Sequence, residues 1–176
     1  MVTGLYCPAE FQPAPSTMAS FVDNSQFPWM EVALGEVGVR ETRGARHTPR
    51  VIEYVRSVTR GVDDDETAWC SYFANWVMKQ IGITGTRRGN ARSWLTWGQE
   101  IPTSAPHYGA ITVLWRDSPS SHFGHVAFFA GMEGGQMILL GGNQDDAVSL
   151  RRYPRERLLS LRWPPGFPPP DRSVGV

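Results

Sequence analysis

Cys70, His125 and Asn143 are the residues of this sequence whose chemistry and chain order suggest catalysis. Cys70 stands where an apolar-periodic segment predicts the start of a helix, and the N-terminus of a helix stabilises a thiolate. A histidine that accepts the thiol proton makes the sulfur a nucleophile, and an amide that holds the imidazole fixes its orientation and tautomer. The three residue types therefore predict a nucleophile, a general base and an orienting residue.

A predicted β-hairpin brings the second and third of these residues together. The segments "GHVAFFAG" and "QMILLGGN" flank a Gly-rich turn at residues 133–135. Pairing across that turn places His125 opposite Gly142 or Asn143. The Cβ atoms of facing residues lie about 4.5–5.5 Å apart, which is close enough for an Asn amide to hold an imidazole.

Helices are expected to supply the first half of the fold. Their predicted starts are Pro28, Pro49 with Thr48 as N-cap, Cys70, and Asn90. The apolar face predicted for the first helix is Met30, Ala33, Leu34 and Val37, and that of the second is Val51, Ile52, Val55 and Val58. Cys70 shares the apolar stripe of the third helix with Phe73, Val77 and Ile81. The thiol should therefore point at the element on which this helix packs.

The second half of the sequence changes to the alternating period of strands. "GAITVLWR" precedes the predicted hairpin, and "LLSLRWP" supplies a last strand after it. Helices followed by an antiparallel β-meander are the pattern of an α+β fold.

Composition and length favour one domain. The 176 residues are divided into a flexible leader at 1–26, a domain at 27–163 and a Pro-rich tail at 164–176. Because 17 basic residues balance 17 acidic ones, no bulk charge attracts nucleic acid or a membrane surface. The first residues lack the pattern of a secretory signal, so synthesis in the cytoplasm without a signal peptide is expected. Because Cys7 lies in the leader, a disulfide with Cys70 is not expected.

Five segments carry a resemblance to a known family. The chain resembles papain-like cell-wall amidases of the CHAP and NlpC type, over residues 27–163, through "TAWCSYFANWVMKQIGI", "ARSWLTWG", "GAITVLW", "SPSSHFGHVAFFAG" and "LLGGNQDDAVSLRRYP". The resemblance implies a papain-like fold and hydrolysis of an amide bond in bacterial peptidoglycan, carried by Cys70, His125 and Asn143 without metal or cofactor. Together with the lack of a secretory signal pattern, it suggests a phage lysin or an injected bacterial effector that acts on the wall.

Two features depart from the family pattern. Many CHAP domains have a Gln just before the cysteine, and this sequence does not, so an oxyanion donor besides the backbone amides of Cys70 and Ser71 is unassigned. Gln144 is an alternative to Asn143 as the orienting residue. Trp69 and Trp97 are the tryptophans expected to form walls of a substrate groove, whereas Trp76, Trp94 and Trp115 fit core spacing.

Other functions stay open at this point. The same three residues serve an acyltransferase or deamidase that acts on a protein, and a non-catalytic wall-binding or virion module is a third interpretation. A zinc site at His122, His125 and Cys70 lacks a fourth ligand with suitable spacing. An injected effector would need an immunity protein as a partner. The protein itself is expected to be a monomer that neither binds nucleic acid nor inserts into a membrane.

Overall fold

The computed structural model describes residues 26–42, 48–59 and 68–169. The predicted leader, apart from residue 26, and the last part of the predicted tail lie outside the described residues. The helices are α1 (Pro28–Gly35), α2 (Pro49–Arg56) and α3 (Cys70–Gln80), with short 3₁₀ helices at Ala91–Thr96 and Arg155–Arg157. The strands are β1 (Gln99–Ile101), β2 (Ile111–Trp115), β3 (Gly124–Glu133), β4 (Gln136–Gly141), β5 (Ser149–Tyr153) and β6 (Leu158–Trp163).

The strands form one antiparallel sheet in the order β1-β6-β2-β3-β4-β5. An antiparallel meander runs from β2 to β5, and β6, the expected last strand, returns to pair with the other side of β2. The predicted α+β class is confirmed. Two strands were not expected: β1 has only three residues, and β5 carries adjacent arginines that break the alternation of a half-buried strand.

The β3–β4 hairpin has the predicted register close to the site. Phe128 pairs with Leu140 and Phe129 with Leu139, and the register shifts by one residue at Gly131. Continuing the Phe128–Leu140 register would set His125 opposite Asn143. However, β4 ends at Gly141, so the strand stops before that pair forms.

Helix α1 buries only part of the face predicted for it. Trp29, Met30 and Ala33 are fully buried, whereas Leu34 and Val37 are 37% and 47% exposed. The helix ends at Gly35, so the helical period that would have carried Val37 inward does not continue. The expectation that Leu34 and Val37 face the core was wrong.

Helix α2 links the first segment of the chain to α3. Val51 and Val55 are buried as expected, while Ile52 is only half-buried, and Tyr54 takes the central position. The Tyr54 ring contacts the Trp76 ring of α3, with centroids 5.1 Å apart. The expected N-cap, Thr48, directs its hydroxyl to the carbonyl oxygen of Arg40 instead of a helix N–H group.

The packed part of the chain extends past the expected boundary at Trp163. The Phe167 ring meets the Trp29 ring at a centroid distance of 4.8 Å, and the Trp163 indole donates to the Pro168 carbonyl at 2.9 Å. Phe167 and Pro168, which lie in the predicted Pro-rich tail, therefore pack against the core beside α1. None of the helices in the described ranges is long and apolar enough to cross a bilayer.

Candidate active site

Cys70 begins helix α3 and is almost completely buried, with 5% of its surface exposed. The backbone N–H of Val126 in β3 lies against its thiol. The thiol therefore packs against the strand that carries the histidine, as its position on the helix stripe predicted. The Phe73 N–H donates to the Trp69 carbonyl, which leaves the N–H groups of the first helical residues without an acceptor inside the helix.

His125 is the second residue of β3 and is 1% exposed. Its Nε2 lies 3.1 Å from Oε1 of Gln144. Its Nδ1 is buried and has no hydrogen-bond partner among the described residues. The Tyr153 ring of β5 stacks on the imidazole, with centroids 5.4 Å apart and planes inclined by 25°. One ring nitrogen is thus held by an amide, and the other is left available.

The other contacts of Gln144 decide which nitrogen carries the proton. Nε2 of Gln144 donates to the Leu139 carbonyl at 3.3 Å and to the Ser149 carbonyl at 2.5 Å. Because two carbonyl oxygens need the amide NH₂ group, the amide oxygen must be the atom that faces His125. An oxygen accepts only, so Nε2 of His125 bears the hydrogen and Nδ1 bears the lone pair. This tautomer leaves Nδ1 as the basic atom.

Asn143, the expected orienting residue, is not the hydrogen-bond partner of His125. The chain turns sharply after β4, and Asn143 adopts a left-handed conformation with a φ of 55°. The turn carries its neighbour Gln144 back under the imidazole. The imidazole is thus hydrogen-bonded to Gln144, the alternative that the sequence left open.

Two glycines make this turn fit against the helix. A Cβ atom on Gly141 would lie 2.8 Å from Cβ of Ala127 and 3.2 Å from Oε1 of Gln144. A Cβ atom on Gly142 would lie 2.6 Å from the Trp69 ring. The Gly-Gly pair before Asn143 therefore allows both the amide and α3 to approach the end of β4, and it is the sequence signal for this geometry.

Burial shifts the pKa values of both Cys70 and His125. Desolvation raises the pKa of the Cys70 thiol, while the Val126 N–H and the positive charge of Arg116 oppose that rise. Desolvation also lowers the pKa of His125 to about 4, and the Gln144 hydrogen bond opposes that change. Burial therefore favours a thiol and a neutral imidazole at neutral pH. Such a pair can transfer one proton without changing its net charge.

The other predicted groove residues, Ser71, Trp69 and Trp97, differ in how far they are buried. The buried hydroxyl of Ser71 donates to the Arg88 carbonyl at 2.7 Å and accepts from the Trp94 indole at 2.9 Å. Trp69 is fully buried, so the expectation that its ring lines a groove was wrong; it packs beneath Gly142. Trp97 is half-buried and lines an open cleft.

Metal-ligand side chains do not converge at this site in the described ranges. No group of three or more His, Cys, Asp or Glu residues there is arranged to hold a metal ion. His122 is exposed, whereas His125 and Cys70 are buried. Sequence reasoning did not single out Tyr153 or Arg116, because β5 was not expected and neither residue belongs to a recognisable catalytic spacing.

A family model described as the CHAP domain matches residues 62–143. The resemblance to the CHAP family is confirmed. The CHAP match includes Cys70 and His125, and it ends one residue before Gln144. No curated protein sequence matches the chain significantly.

Two solved structures are similar to the chain. The wild-type endolysin LysIME-EF1 has 14% sequence identity and a TM-score of 0.52, over 78% of this chain and 62% of the endolysin chain. An NLP/P60 family protein similar to lipoprotein, from Staphylococcus aureus subsp. aureus Mu50, has 20% identity and a TM-score of 0.49, over 83% of this chain and 44% of that one. The predicted papain-like fold is confirmed, and the chain spans less than two thirds of either neighbour.

Proposed function

We propose that the protein is a cysteine amidase or endopeptidase that cleaves an amide bond in the peptide part of bacterial peptidoglycan. The observation that carries the proposal is the free, basic Nδ1 of a buried imidazole whose Nε2–H is held by Gln144, on the strand against which the Cys70 thiol packs. The CHAP match and the endolysin neighbour support the wall as substrate.

The first step is proton transfer from Sγ of Cys70 to Nδ1 of His125. It gives a thiolate and an imidazolium, and Gln144 Oε1 continues to accept from Nε2–H. The thiolate attacks the scissile carbonyl carbon, and the carbonyl π electrons move to oxygen. The backbone N–H groups of Cys70 and Ser71, unpaired inside the helix, would stabilise that oxyanion.

Collapse of the tetrahedral intermediate breaks the carbon–nitrogen bond. The leaving amine takes the proton from Nδ1 of His125, and the acyl group remains on Cys70 as a thioester. Water then attacks the thioester while Nδ1 accepts its proton, and the second collapse restores the thiol. These steps use only the side chains and backbone described above together with water.

The proposed site of action is the cell wall, after release or injection of the protein. A phage lysin and an injected effector both satisfy this placement. If the protein is an effector, an immunity protein would cover Cys70. Binding of such a partner should protect the thiol from alkylation, and a partner that leaves the alkylation rate unchanged would contradict this role.

Mass spectrometry of purified peptidoglycan treated with the wild type and with Cys70→Ala tests the proposal. New fragments from the wild type alone are expected, and their masses identify the bond that is cut. If neither protein yields fragments while the wild type modifies a protein substrate, the acyltransferase or deamidase interpretation replaces this one. Equal biological activity of both proteins would instead favour a non-catalytic wall-binding module.

A further inference from the structure

An open cleft of about 570 Å³ is lined by residues between Gly85 and Trp97, and neither Cys70 nor His125 is among them. Its walls come from the loop that follows α3 and from the 3₁₀ helix Ala91–Thr96, and they include Thr86, Arg88, Ser93 and Trp97. None of these side chains takes part in the proposed proton transfers. The cleft therefore has no part in the proposed chemical steps, and its lining is available to bind a ligand.

The loop that forms the cleft touches the chain neighbours of both catalytic residues. The hydroxyl of Ser71, next to Cys70, donates to the Arg88 carbonyl at 2.7 Å. A Cβ atom on Gly124, which precedes His125, would lie 3.2 Å from Cγ of Arg92. The walls of the cleft are therefore in contact with the chain segments that carry Cys70 and His125.

Hydrogen bonds hold the cleft loop in place. The buried amide of Asn75 donates to the Ser71 carbonyl at 2.8 Å and accepts from the Arg87 N–H at 2.8 Å. Asn90 caps the 3₁₀ helix, and its side chain accepts from the Arg92 N–H at 2.7 Å. The position of the loop is thus set before a ligand binds, which lowers the entropic cost of binding.

Arg88 is the cation that this loop leaves available. Arg92 also lines the cleft, but its guanidinium donates to the carbonyls of Pro119 at 3.0 Å and Phe123 at 3.1 Å. The Arg88 side chain is exposed and pairs with no acidic residue in the described part of the chain. A planar guanidinium with free donors is suited to bidentate binding of a carboxylate.

Trp97 gives the same cleft an apolar wall. Its indole N–H donates to the Thr84 carbonyl at 3.0 Å, and its ring meets the Trp94 ring with centroids 4.8 Å apart. The ring orientation is therefore fixed. An aliphatic segment next to a carboxylate can contact this ring while Arg88 binds the charge.

We propose that this cleft is a substrate subsite in which Arg88 binds a carboxylate of the wall peptide and Trp97 contacts its aliphatic part. The inference rests on the proposed function. The carboxylate has two sources in such a peptide: the free carboxyl of an acidic residue within the stem, or the terminal carboxyl. Both present the same anion to Arg88, and amidation of each one separately distinguishes them.

The test measures cleavage of matched muropeptides whose internal and terminal carboxylates are either free or amidated. Arg88→Gln should raise KM about tenfold on the free-acid form, with kcat nearly unchanged, because a charge-assisted hydrogen bond is lost. Arg88→Lys should recover part of the loss. Arg87→Gln removes an equal charge from an adjacent side chain that does not line the cleft, so it should match the wild type.

Amidating the carboxylate that binds Arg88 should raise the wild-type KM and remove the difference between Arg88→Gln and the wild type. Wild-type cleavage with an unchanged KM in Arg88→Gln would overturn the subsite and leave the proposed function intact. Equal effects of Arg87→Gln and Arg88→Gln would also overturn it, because general attraction would then explain the loss. If the wild type cleaves no muropeptide, the proposed function fails and the subsite falls with it.

Discussion

Replacing Gln144 by alanine removes the contact that we assign to orientation of the imidazole. The change deletes the 3.1 Å contact with Nε2 of His125 and the two hydrogen bonds from the amide to the carbonyls of Leu139 and Ser149. A buried polar group left without its partner costs about 1–3 kcal/mol, so we expect the free energy of unfolding to fall by about 2–4 kcal/mol. We expect kcat/KM to fall by more than about tenfold but by less than the roughly 10²–10⁴-fold that a positioned base contributes, because Gln144 holds the imidazole and does not itself transfer the proton.

The matched control is Asn143→Gly. Glycine removes the side chain of Asn143 but tolerates its φ of 55°, so the turn is preserved. Activity is measured as the rate at which peptidoglycan fragments with new amines appear. Urea unfolding of each variant shows how much of any loss comes from an unfolded fraction. Asn143→Gly should stay within about threefold of the wild type, because it breaks no hydrogen bond to the imidazole.

The reverse result would refute this reasoning. If Asn143→Gly abolished turnover and Gln144→Ala retained it, the orienting residue would be Asn143, as the chain order first suggested. A folded Gln144→Ala variant with wild-type kcat/KM would show that the imidazole needs no amide to hold its tautomer.

Two further predictions concern stability. The pKa of His125 is about 4 in the folded protein against 6.5 for the free side chain. Between these pH values the unfolded state therefore binds more protons than the folded state. The free energy of unfolding should fall by up to about 3 kcal/mol as the pH drops from 6.5 to 4. Urea unfolding across this range measures the slope, and a His125→Gln variant with the same slope would contradict the assignment. Gly142→Ala should lower stability by about 1–3 kcal/mol, because its Cβ would meet the Trp69 ring at 2.6 Å. Gly35→Ala, where a Cβ meets nothing within 4 Å, is the control, and equal thermal midpoints for the two variants would contradict the close approach.

Local signals were sufficient to predict the elements that carry Cys70 and His125. The apolar period predicted the helix that Cys70 begins, and the left-handed Gly82, with a φ of 77°, follows its end. The Gly-rich turn predicted the register of the hairpin that carries His125. Each of these features depends on residues close together in the chain.

Features that depend on distant contacts were not predictable in the same way. The choice between Asn143 and Gln144 depends on where β4 ends, and just beyond that end Trp69 and Phe73 approach Gly142 closely. Trp69 has the size and polarity of a groove residue, yet it is buried because the same turn packs over its ring. Phe167 lies among prolines, and only its contact with Trp29 shows that it belongs to the core.

The most direct test of the central claim is digestion of peptidoglycan in ¹⁸O-labelled water by the wild type, Cys70→Ala and Gln144→Ala. Hydrolysis through a thioester on Cys70 predicts wild-type fragments in which the new carboxyl group contains one oxygen from water. Cys70→Ala should give none of these fragments, and Gln144→Ala should form them far more slowly. Labelled fragments produced equally fast by Cys70→Ala, or no fragments from any of the three proteins, would contradict the account.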